Sequence, residues 1–223
     1  MKASIADPNG NADARERILS AAERLFALKG VEKTSTREIT TEAAVNVASV
    51  NYYFRSKEAL AEEIFARLAE RATTMRLADL SAYMQAAQAD GEPVRLDALV
   101  ACLVRPYFEP VQTGQLFARF ILQHRLQPSE MTKRVYEQYL DPFALEFIDA
   151  LCRTDPKVPK AEWIWRYTLM VGTLVLAVTD TTADNRLATL SKGLADAARS
   201  EELKRNLTAF LCAALSGCRS GAG

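Results

Sequence analysis

Residues 34–60, TSTREITTEAAVNVASVNYYFRSKEAL, restrict the fold of this chain more than any other segment. Ser35 and Glu38 have the Ser-x-x-Glu spacing of a capping box, in which each side chain accepts a hydrogen bond from a free backbone N–H of the other residue at a helix start. We therefore predict a short helix that begins near Thr36. Its apolar face would carry Ile39, Ala43 and Ala44.

A second short helix is predicted over residues 47–53, with Asn46 as its N-cap, and Ser56 is expected to cap a third, longer helix. Helices as short as the first two are not stable alone. The preceding segment supplies apolar residues at helical spacing for them to pack against, and Gly30 is the expected end of that helix. These apolar residues are Ile18, Ala21, Ala22, Leu25 and Phe26.

Two short helices joined by about four residues are typical of the helix-turn-helix arrangement, whose last helix lies in the DNA major groove. Polar and methyl-sized side chains on that helix suit base edges, and hydroxyl and basic groups around it suit phosphates. The predicted DNA-binding residues are Thr36, Arg37, Asn46, Val47, Ala48, Ser49, Asn51, Tyr52, Tyr53 and Lys57.

The same geometry also occurs as a plain packing motif, in which Tyr52, Tyr53 and Phe54 would be core or rim aromatics. Charge does not decide between the two interpretations. The chain has 28 Lys and Arg against 28 Asp and Glu, and basic and acidic residues also balance within residues 31–60. Any attraction to DNA must be local, with a shallow salt dependence.

The remainder of the sequence predicts helices separated by proline and glycine breaks. The long helix from Ser56 carries an apolar stripe as far as Met75, and residues 86–93 are expected to form a turn. A helix over residues 94–108 is expected to end or kink at Pro106, and one over 116–127 follows breaks at Pro110 and Gly114. A helix over 130–152 is expected to be capped by Ser129 and bent at Pro142. After a loop at 155–160, two more helices are predicted over residues 163–178 and 201–215.

Residues 163–178 are the most apolar stretch, but they are too short for a membrane span and include Arg166. A helix that is apolar nearly all round is expected to be buried on all sides. We therefore expect no membrane segment, and we expect a cytoplasmic protein. Residues 1–12 are polar and are expected to form a flexible arm.

The sequence lacks the motifs of common enzymes, such as a Gly-rich phosphate loop or His-Glu-x-x-His, and His124 is the only histidine. We predict that the protein is not an enzyme and has neither a cofactor nor a metal. The four cysteines have no metal-ligand spacing and are expected to be reduced thiols. They are Cys102, Cys152, Cys212 and Cys218.

The segments RERILSAAERLFALKG, TSTREIT and AAVNVASVNYYFRSKEAL, within residues 15–60, resemble the DNA-binding domain of the TetR family of bacterial transcriptional regulators. This chain departs from the family pattern at Ala44, where most members have a glycine in the turn, and at Ala48 and Asn51 in the recognition helix. Ala44 requires that the backbone stay out of the left-handed region or absorb a small strain.

The resemblance implies an all-α homodimer with a helix-turn-helix domain at residues 13–60, a ligand-binding and dimerisation domain at 61–216 and a tail at 217–223. It further implies a repressor that a small, largely apolar effector releases from a palindromic double-stranded DNA operator. The alternative is a helical small-molecule-binding or interaction protein of the same fold that does not read DNA. The implied dimer contacts are Trp163, Met170, Leu174, Leu207, Phe210 and Leu211.

Aromatic side chains are frequent in the middle helices, where they could line an effector pocket or simply form the core. The predicted pocket residues are Phe65, Leu68, Leu103, Tyr107, Phe117, Phe120, Ile121, His124, Tyr139, Phe143 and Tyr167. His124 could equally be a structural residue. Arg119 and Arg125 could form surface ion pairs, or either could hold a ligand carboxylate.

Overall fold

The computed structural model describes residues 8–180 and 185–217. The fold is all-α, as predicted, and the described residues contain no strand. The chain divides between Leu68 and Ala69 into two compact units. No helix in the described ranges combines the length and the apolar character needed to cross a membrane.

The first unit consists of α1 (Pro8–Lys29), α2 (Thr36–Glu42), α3 (Ala48–Phe54) and the beginning of α4 (Lys57–Asp90). Apolar residues of all four helices form its core, as the helical spacing in the sequence predicted. They include Ile18, Ala22, Phe26, Ile39, Val50, Phe54, Leu60 and Ile64.

The ends of α1 differ in how well the sequence predicted them. Gly30 adopts φ +83° and its N–H donates to the Phe26 carbonyl at 2.8 Å, so the glycine ends the helix as expected. The predicted arm is wrong at residues 8–12, because α1 already begins at Pro8, a residue that the first turn of a helix tolerates. Residues 1–7 lie outside the described part.

The long helix α4 begins as predicted, with Ser56 Oγ accepting a hydrogen bond from the Ala59 N–H at 3.1 Å. It continues for 34 residues to Asp90 and ends before Gly91, which adopts φ +67°. The turn predicted at residues 86–93 is therefore wrong over 86–90. The helix continues there because no glycine or proline interrupts it before Gly91.

In the second unit, the described residues form the remainder of α4 and seven further α-helices. They are α5 (Leu96–Val104), α6 (Val111–Leu126), α7 (Glu130–Val135), α8 (Asp141–Thr154), α9 (Lys160–Thr179), α10 (Arg186–Leu190) and α11 (Ser200–Gly217). α6 and α8 pack on α9, and α11 packs on α5 and α9. The short α10 was not predicted, and residues 218–223, most of the predicted tail, lie outside the described part.

The connection from α5 to α6 shows why Gly114 is a glycine. Pro106 lies in a 3-10 turn, Arg105–Tyr107, that ends the predicted helix as expected. The predicted break at Gly114 is wrong, because α6 begins at Val111 and runs through it. A Cβ at residue 114 would lie 2.1 Å from the Tyr107 carbonyl oxygen, so the close approach of these two backbones requires glycine.

The segment that follows α6 keeps its helical character with one irregular turn. Ser129 caps α7 as predicted, with its Oγ accepting from the Thr132 N–H at 3.1 Å. A π-helical turn, Tyr136–Leu140, separates α7 from α8. Pro142 does not bend a helix interior, because it lies in the first turn of α8, where its missing N–H leaves no hydrogen bond unmade.

Helix α9 is buried on one side within a single chain, whereas its burial on all sides was expected from packing against both its own domain and the other subunit. Trp163, Met170 and Leu174 are buried, whereas the side chains of Trp165, at 69% exposure, and Leu169, at 65%, face outward. Which residues belong to which face could not be read from the sequence, because an apolar residue facing a partner looks the same in sequence as one facing its own core.

Candidate functional site

The start of α2 is fixed by the predicted capping box. The Ser35 N–H donates to Glu38 Oε2 at 2.8 Å, and the Glu38 N–H donates to Ser35 Oγ at 3.2 Å. Lys29 forms an ion pair with the same carboxylate. The Lys29 hydrogen bond, followed by those from Ser35, lowers the pKa of Glu38 to about 2. These contacts hold α2 against the end of α1.

The turn between α2 and α3 is strained at Ala44. This residue adopts φ +52°, in the left-handed region that favours glycine. Of the two possibilities left open by the sequence, the backbone therefore absorbs strain. Arg17 of α1 supports the turn, since its Nη1 donates to the carbonyl oxygens of Ala43 at 3.1 Å and Ala44 at 3.4 Å. No local pattern in the sequence indicates this role of Arg17.

The candidate recognition helix is α3, which begins one residue later than predicted. Asn46 still satisfies a free N–H at its start, because Asn46 Oδ1 accepts from the Ala48 N–H at 2.9 Å. Val50 and Phe54 are buried and fix the inner face of the helix. The guanidinium carbon of Arg15 lies 4.9 Å from the centre of the Phe54 ring, which further holds this face.

The opposite face of α3 is open to solvent. Tyr52 is 72% exposed and Val47 is 54% exposed. Asn51 and Ala48 are exposed beside them, and Ser49 and Tyr53 are half-buried. Of the three aromatics that could have been core, only Phe54 is buried. At the start of α2, Arg37 is exposed and Thr36 is half-buried, so the predicted DNA-binding side chains of α2 and α3 are at least partly accessible.

Lys57 is the tenth predicted residue, and the structure gives it a different role. Its Nζ donates to the carbonyl oxygens of Val31 at 3.1 Å and Thr34 at 3.2 Å. The ammonium group thus holds the connection between α1 and α2, and the prediction that it is a phosphate contact does not fit this geometry. Arg55, exposed at the end of α3 with φ +68°, is a basic residue near this face that the sequence analysis did not select.

The second unit contains a cavity of about 100 Å³ that is partly open to solvent. Residues of α4, α5, α6, α8 and α9, of the 3-10 turn and of the π-helical turn line it. They are Arg76, Leu103, Tyr107, Ile121, Arg125, Tyr136, Leu140, Asp141, Ala144, Tyr167 and Val171. Burial raises the pKa of both Tyr136 and Tyr167 to about 12, so the two hydroxyls stay protonated at neutral pH.

Four of the predicted pocket residues line this cavity, namely Leu103, Tyr107, Ile121 and Tyr167. The others do not. Phe65 and Leu68 are buried in the first unit, and Phe120 is buried in α6 without lining the cavity. Tyr139 does not line the cavity either, and its carbonyl oxygen accepts a hydrogen bond from Thr73 Oγ1 at 2.9 Å. His124 Nδ1 forms a hydrogen bond with Thr132 Oγ1 at 2.5 Å, and its ring lies tilted against Tyr136, with 4.2 Å between the ring centres. Burial together with Arg125 lowers the pKa of His124, and these contacts fit the structural alternative.

Arg76 of α4 is the cavity residue that the sequence analysis missed. It is 3% exposed, and its guanidinium carbon lies 5.0 Å, 5.2 Å and 5.6 Å from the ring centres of Tyr107, Phe143 and Phe117. The predicted pocket residues Phe117 and Phe143 therefore surround this guanidinium. A signal was present, because Arg76 is four residues from both Ala72 and Leu80, which are buried on the same helix.

Most of the predicted dimer contacts are buried within their own chain. Trp163, Met170, Leu174, Leu207 and Leu211 are covered by their own chain, and only Phe210, at 59% exposure, is accessible. The exposed apolar side chains on α9 are instead those of Ile164, Trp165, Leu169 and Leu176. Within the described residues, no group of His, Cys, Asp or Glu side chains could hold a metal ion.

Comparison with known proteins matches each unit separately. The family model described as bacterial regulatory proteins of the tetR family matches residues 18–64, and the model described as the tetracyclin repressor-like C-terminal domain matches residues 101–214. A curated relative from Bacillus subtilis, named "Probable HTH-type transcriptional regulator YttP", is 41% identical over 56 residues. This alignment covers 25% of this chain and only 27% of the relative.

Solved structures with the same fold cover nearly the whole chain. A Mesorhizobium loti protein assigned to the TetR family is 17% identical, with a TM-score of 0.59 over 92% of this chain and 96% of that one. A Saccharomonospora viridis protein, solved in complex with choline, is 16% identical, with a TM-score of 0.61 over 90% and 96%. The family models match both compact units, and the chain belongs to the TetR family of bacterial regulatory proteins.

Proposed function

We propose that this protein is a homodimeric transcriptional regulator that binds a palindromic double-stranded DNA operator through α3 and is released by a small-molecule effector. The observation that carries the proposal is the division of α3 into two faces. Val50 and Phe54 are buried, while Asn51 and Tyr52 are exposed together on a helix held from below. A helix anchored in this way can enter a major groove without unfolding its own unit.

Base recognition would come from Asn51 and Ser49, whose side chains can donate and accept hydrogen bonds, and from the methyl groups of Val47 and Ala48. Arg37 is exposed and suits a phosphate. Because Lys57 is bound to backbone carbonyls, we assign it to the support of the α1–α2 connection instead. Few exposed cations near α3 imply a modest contribution of charge to affinity.

Dimerisation is supported by the exposed apolar side chains of α9 and α11. Trp165, Leu169 and Leu176 follow one another at helical spacing on α9, and Phe210 is exposed on α11. Exposed apolar side chains that recur along one helix mark an interaction surface. When two copies of such a helix pair symmetrically, these side chains are buried against each other. Two copies of α3 placed roughly 34–36 Å apart would fit successive major grooves.

Regulation is supported by the cavity, which is lined by apolar side chains and a small number of polar groups, as ligand sites are. The helix α4 contributes residues to both units, since it begins at Lys57 and includes Arg76 of the cavity. An effector that prefers one arrangement of α4 would shift DNA affinity by a coupling free energy of typically 1–3 kcal/mol.

The test is the variant Asn51→Ala/Tyr52→Ala, assayed on a duplex that the unmodified protein selects from a random pool. Both residues are exposed, so the variant should keep its melting temperature and its dimer while operator affinity falls by at least about tenfold. Gln123→Ala, an exposed polar residue of α6, is the matched control and should bind normally. Undiminished binding by the double variant would show that α3 does not read DNA.

A further inference from the structure

The second unit contains a buried cation that forms no ion pair with any acidic side chain among residues 69–180 and 185–217. Arg76 is 3% exposed, and its Nε and one terminal nitrogen, Nη2, have no hydrogen-bond partner in the described part of the chain. Contact with the rings of Tyr107, Phe143 and Phe117 compensates only part of the cost of removing a guanidinium from water. A buried charge in this condition requires an anion to complete its environment.

Arg76 lines the cavity, so the residue with this unfilled hydrogen-bonding capacity borders a space that a ligand can occupy. A second cation, Arg125, lines the same cavity and is exposed. Asp141 is the acidic lining residue, but it is exposed and lies in the first turn of α8, where the helix N-terminus stabilises a carboxylate. No described ion pair joins Asp141 to either arginine.

We propose that the cavity binds a short-chain carboxylate, with the carboxylate held by Arg76 and the hydrocarbon chain against the apolar wall. This inference rests on the proposed function, because it names the chemical class of the effector. It narrows the small, largely apolar effector implied by the family resemblance to a carboxylate with a short hydrocarbon chain. The wall that would receive the chain consists of Leu103, Ile121, Leu140, Ala144 and Val171.

The size of the cavity limits the ligand. An apolar cavity of about 150 Å³ in another protein accepts benzene. At about 100 Å³, this cavity is suited to a molecule of fewer heavy atoms. The planar guanidinium of Arg76 matches a carboxylate by two parallel hydrogen bonds, a geometry that neither an amide nor an alcohol reproduces.

The surrounding groups also favour a carboxylate over a cation. A trimethylammonium ligand is commonly recognised by an aromatic cage, but here Tyr107, Phe117 and Phe143 already surround the guanidinium of Arg76. Two lining arginines would repel a second positive charge. The protonated hydroxyls of Tyr136 and Tyr167 add donors that an anion can use.

The test is calorimetric titration of the full-length, DNA-free protein with straight-chain carboxylates of two to six carbons. Each acid is paired with its primary amide, and choline is the cationic probe. We expect one chain length to bind best and at least about tenfold more tightly than its amide, with no binding of choline. Equal affinity for acid and amide, or no binding of any acid, would overturn the proposal.

Variants then locate the site. Arg76→Gln should weaken binding of the best acid by at least about tenfold, and Arg125→Gln by a smaller factor because its guanidinium is exposed. Arg134→Gln, an exposed arginine of α7 that does not line the cavity, is the matched control and should bind normally. Unchanged affinity in folded Arg76→Gln would overturn the site. If that variant does not fold, the acid and amide series and Arg125→Gln still decide the question.

A DNA-binding assay separates this inference from the proposed function. A carboxylate that binds through Arg76 without changing operator affinity would support the anion site and contradict regulation by this ligand. Release of DNA by a neutral compound, with no carboxylate binding, would support ligand-responsive regulation and contradict the anion site. We expect the carboxylate both to bind and to release the operator.

Discussion

Arg17 on α1 donates a hydrogen bond from Nη1 to the carbonyl oxygen of Ala43 at 3.1 Å. This bond connects the first helix to the residue at the end of α2, immediately before the strained Ala44. A guanidinium is well suited to the position, because it supplies several donors to carbonyls left free at a helix end. The orientation of α3 therefore depends on a contact made from outside the helix-turn-helix pair.

The strain at Ala44 leads to a prediction of increased stability. Ala44→Gly should raise the free energy of unfolding by about 0.5–1 kcal/mol, since glycine adopts φ +52° without the clash of a Cβ. Denaturation in urea measures the change. Ala43→Gly, one residue earlier at φ −74°, is the control and should lower stability by about 1 kcal/mol. A destabilised Ala44→Gly variant would contradict the proposed strain.

The capping box leads to a prediction about pH. The pKa of Glu38 is lowered to about 2, chiefly by Lys29 and then by Ser35, so its carboxylate stabilises the folded state above its ordinary pKa of 4.5. That contribution is lost as the pH falls from about 4.5 towards 2. Glu38→Gln should therefore melt below the unmodified protein at pH 7, and the difference should shrink below pH 4.5.

Melting curves at pH 7, 5, 4 and 3 check this dependence. Glu32→Gln, an exposed residue between α1 and α2, serves as the control and should melt with the unmodified protein at each pH. A difference for Glu38→Gln that stays constant across this range would show that the carboxylate charge is not what stabilises the start of α2.

The close approach at Gly114 predicts a large loss of stability on substitution. In Gly114→Ala the new Cβ would lie 2.1 Å from the Tyr107 carbonyl oxygen, and the contacting atoms belong to the backbone, which cannot rotate away. We expect a loss of about 3 kcal/mol or more, measured by chemical denaturation. Thr113→Ala, in the same turn of α6, is the control and should lose well under half of that. Near-normal stability of Gly114→Ala would contradict this packing.

The dimer predicted from α9 can be tested with a single charge. Leu169→Glu should convert the dimer to a monomer in sedimentation equilibrium, because the exposed side chain of Leu169 would be buried against the partner. Stability of the monomer should change little. Leu145→Glu, which alters a leucine of α8 that is 61% exposed, is the matched control and should remain dimeric. A dimer that survives Leu169→Glu would place the interface elsewhere.

Local signals in the sequence predicted local structure well. The Ser35 cap, the Gly30 stop and the Ser129 cap are each set by hydrogen bonds between residues a few positions apart, and all three are confirmed. Arg76 shows where such reasoning fails. Its spacing to Ala72 and Leu80 indicates a buried face, but the aromatics that surround it come from α6, α8 and the 3-10 turn, and no window along α4 identifies them.

Exposed apolar residues set a second limit. Trp163 and Trp165 are two residues apart in a uniformly apolar segment, yet one is buried and the other is 69% exposed. The sequence pattern identifies both as apolar and cannot distinguish a residue of the chain's own core from one available to a partner. The same ambiguity placed five of the six predicted dimer contacts inside the second unit.

The proposed function requires that α3 of a symmetric dimer bind a specific DNA sequence. Selection from a pool of random duplexes by the purified protein, at a stated near-physiological salt concentration, tests it most directly. We expect recovery of one palindromic motif with half-sites about one helical turn apart, roughly 10–10.5 base pairs between their centres. Recovery of no motif above background from effector-free protein would contradict it.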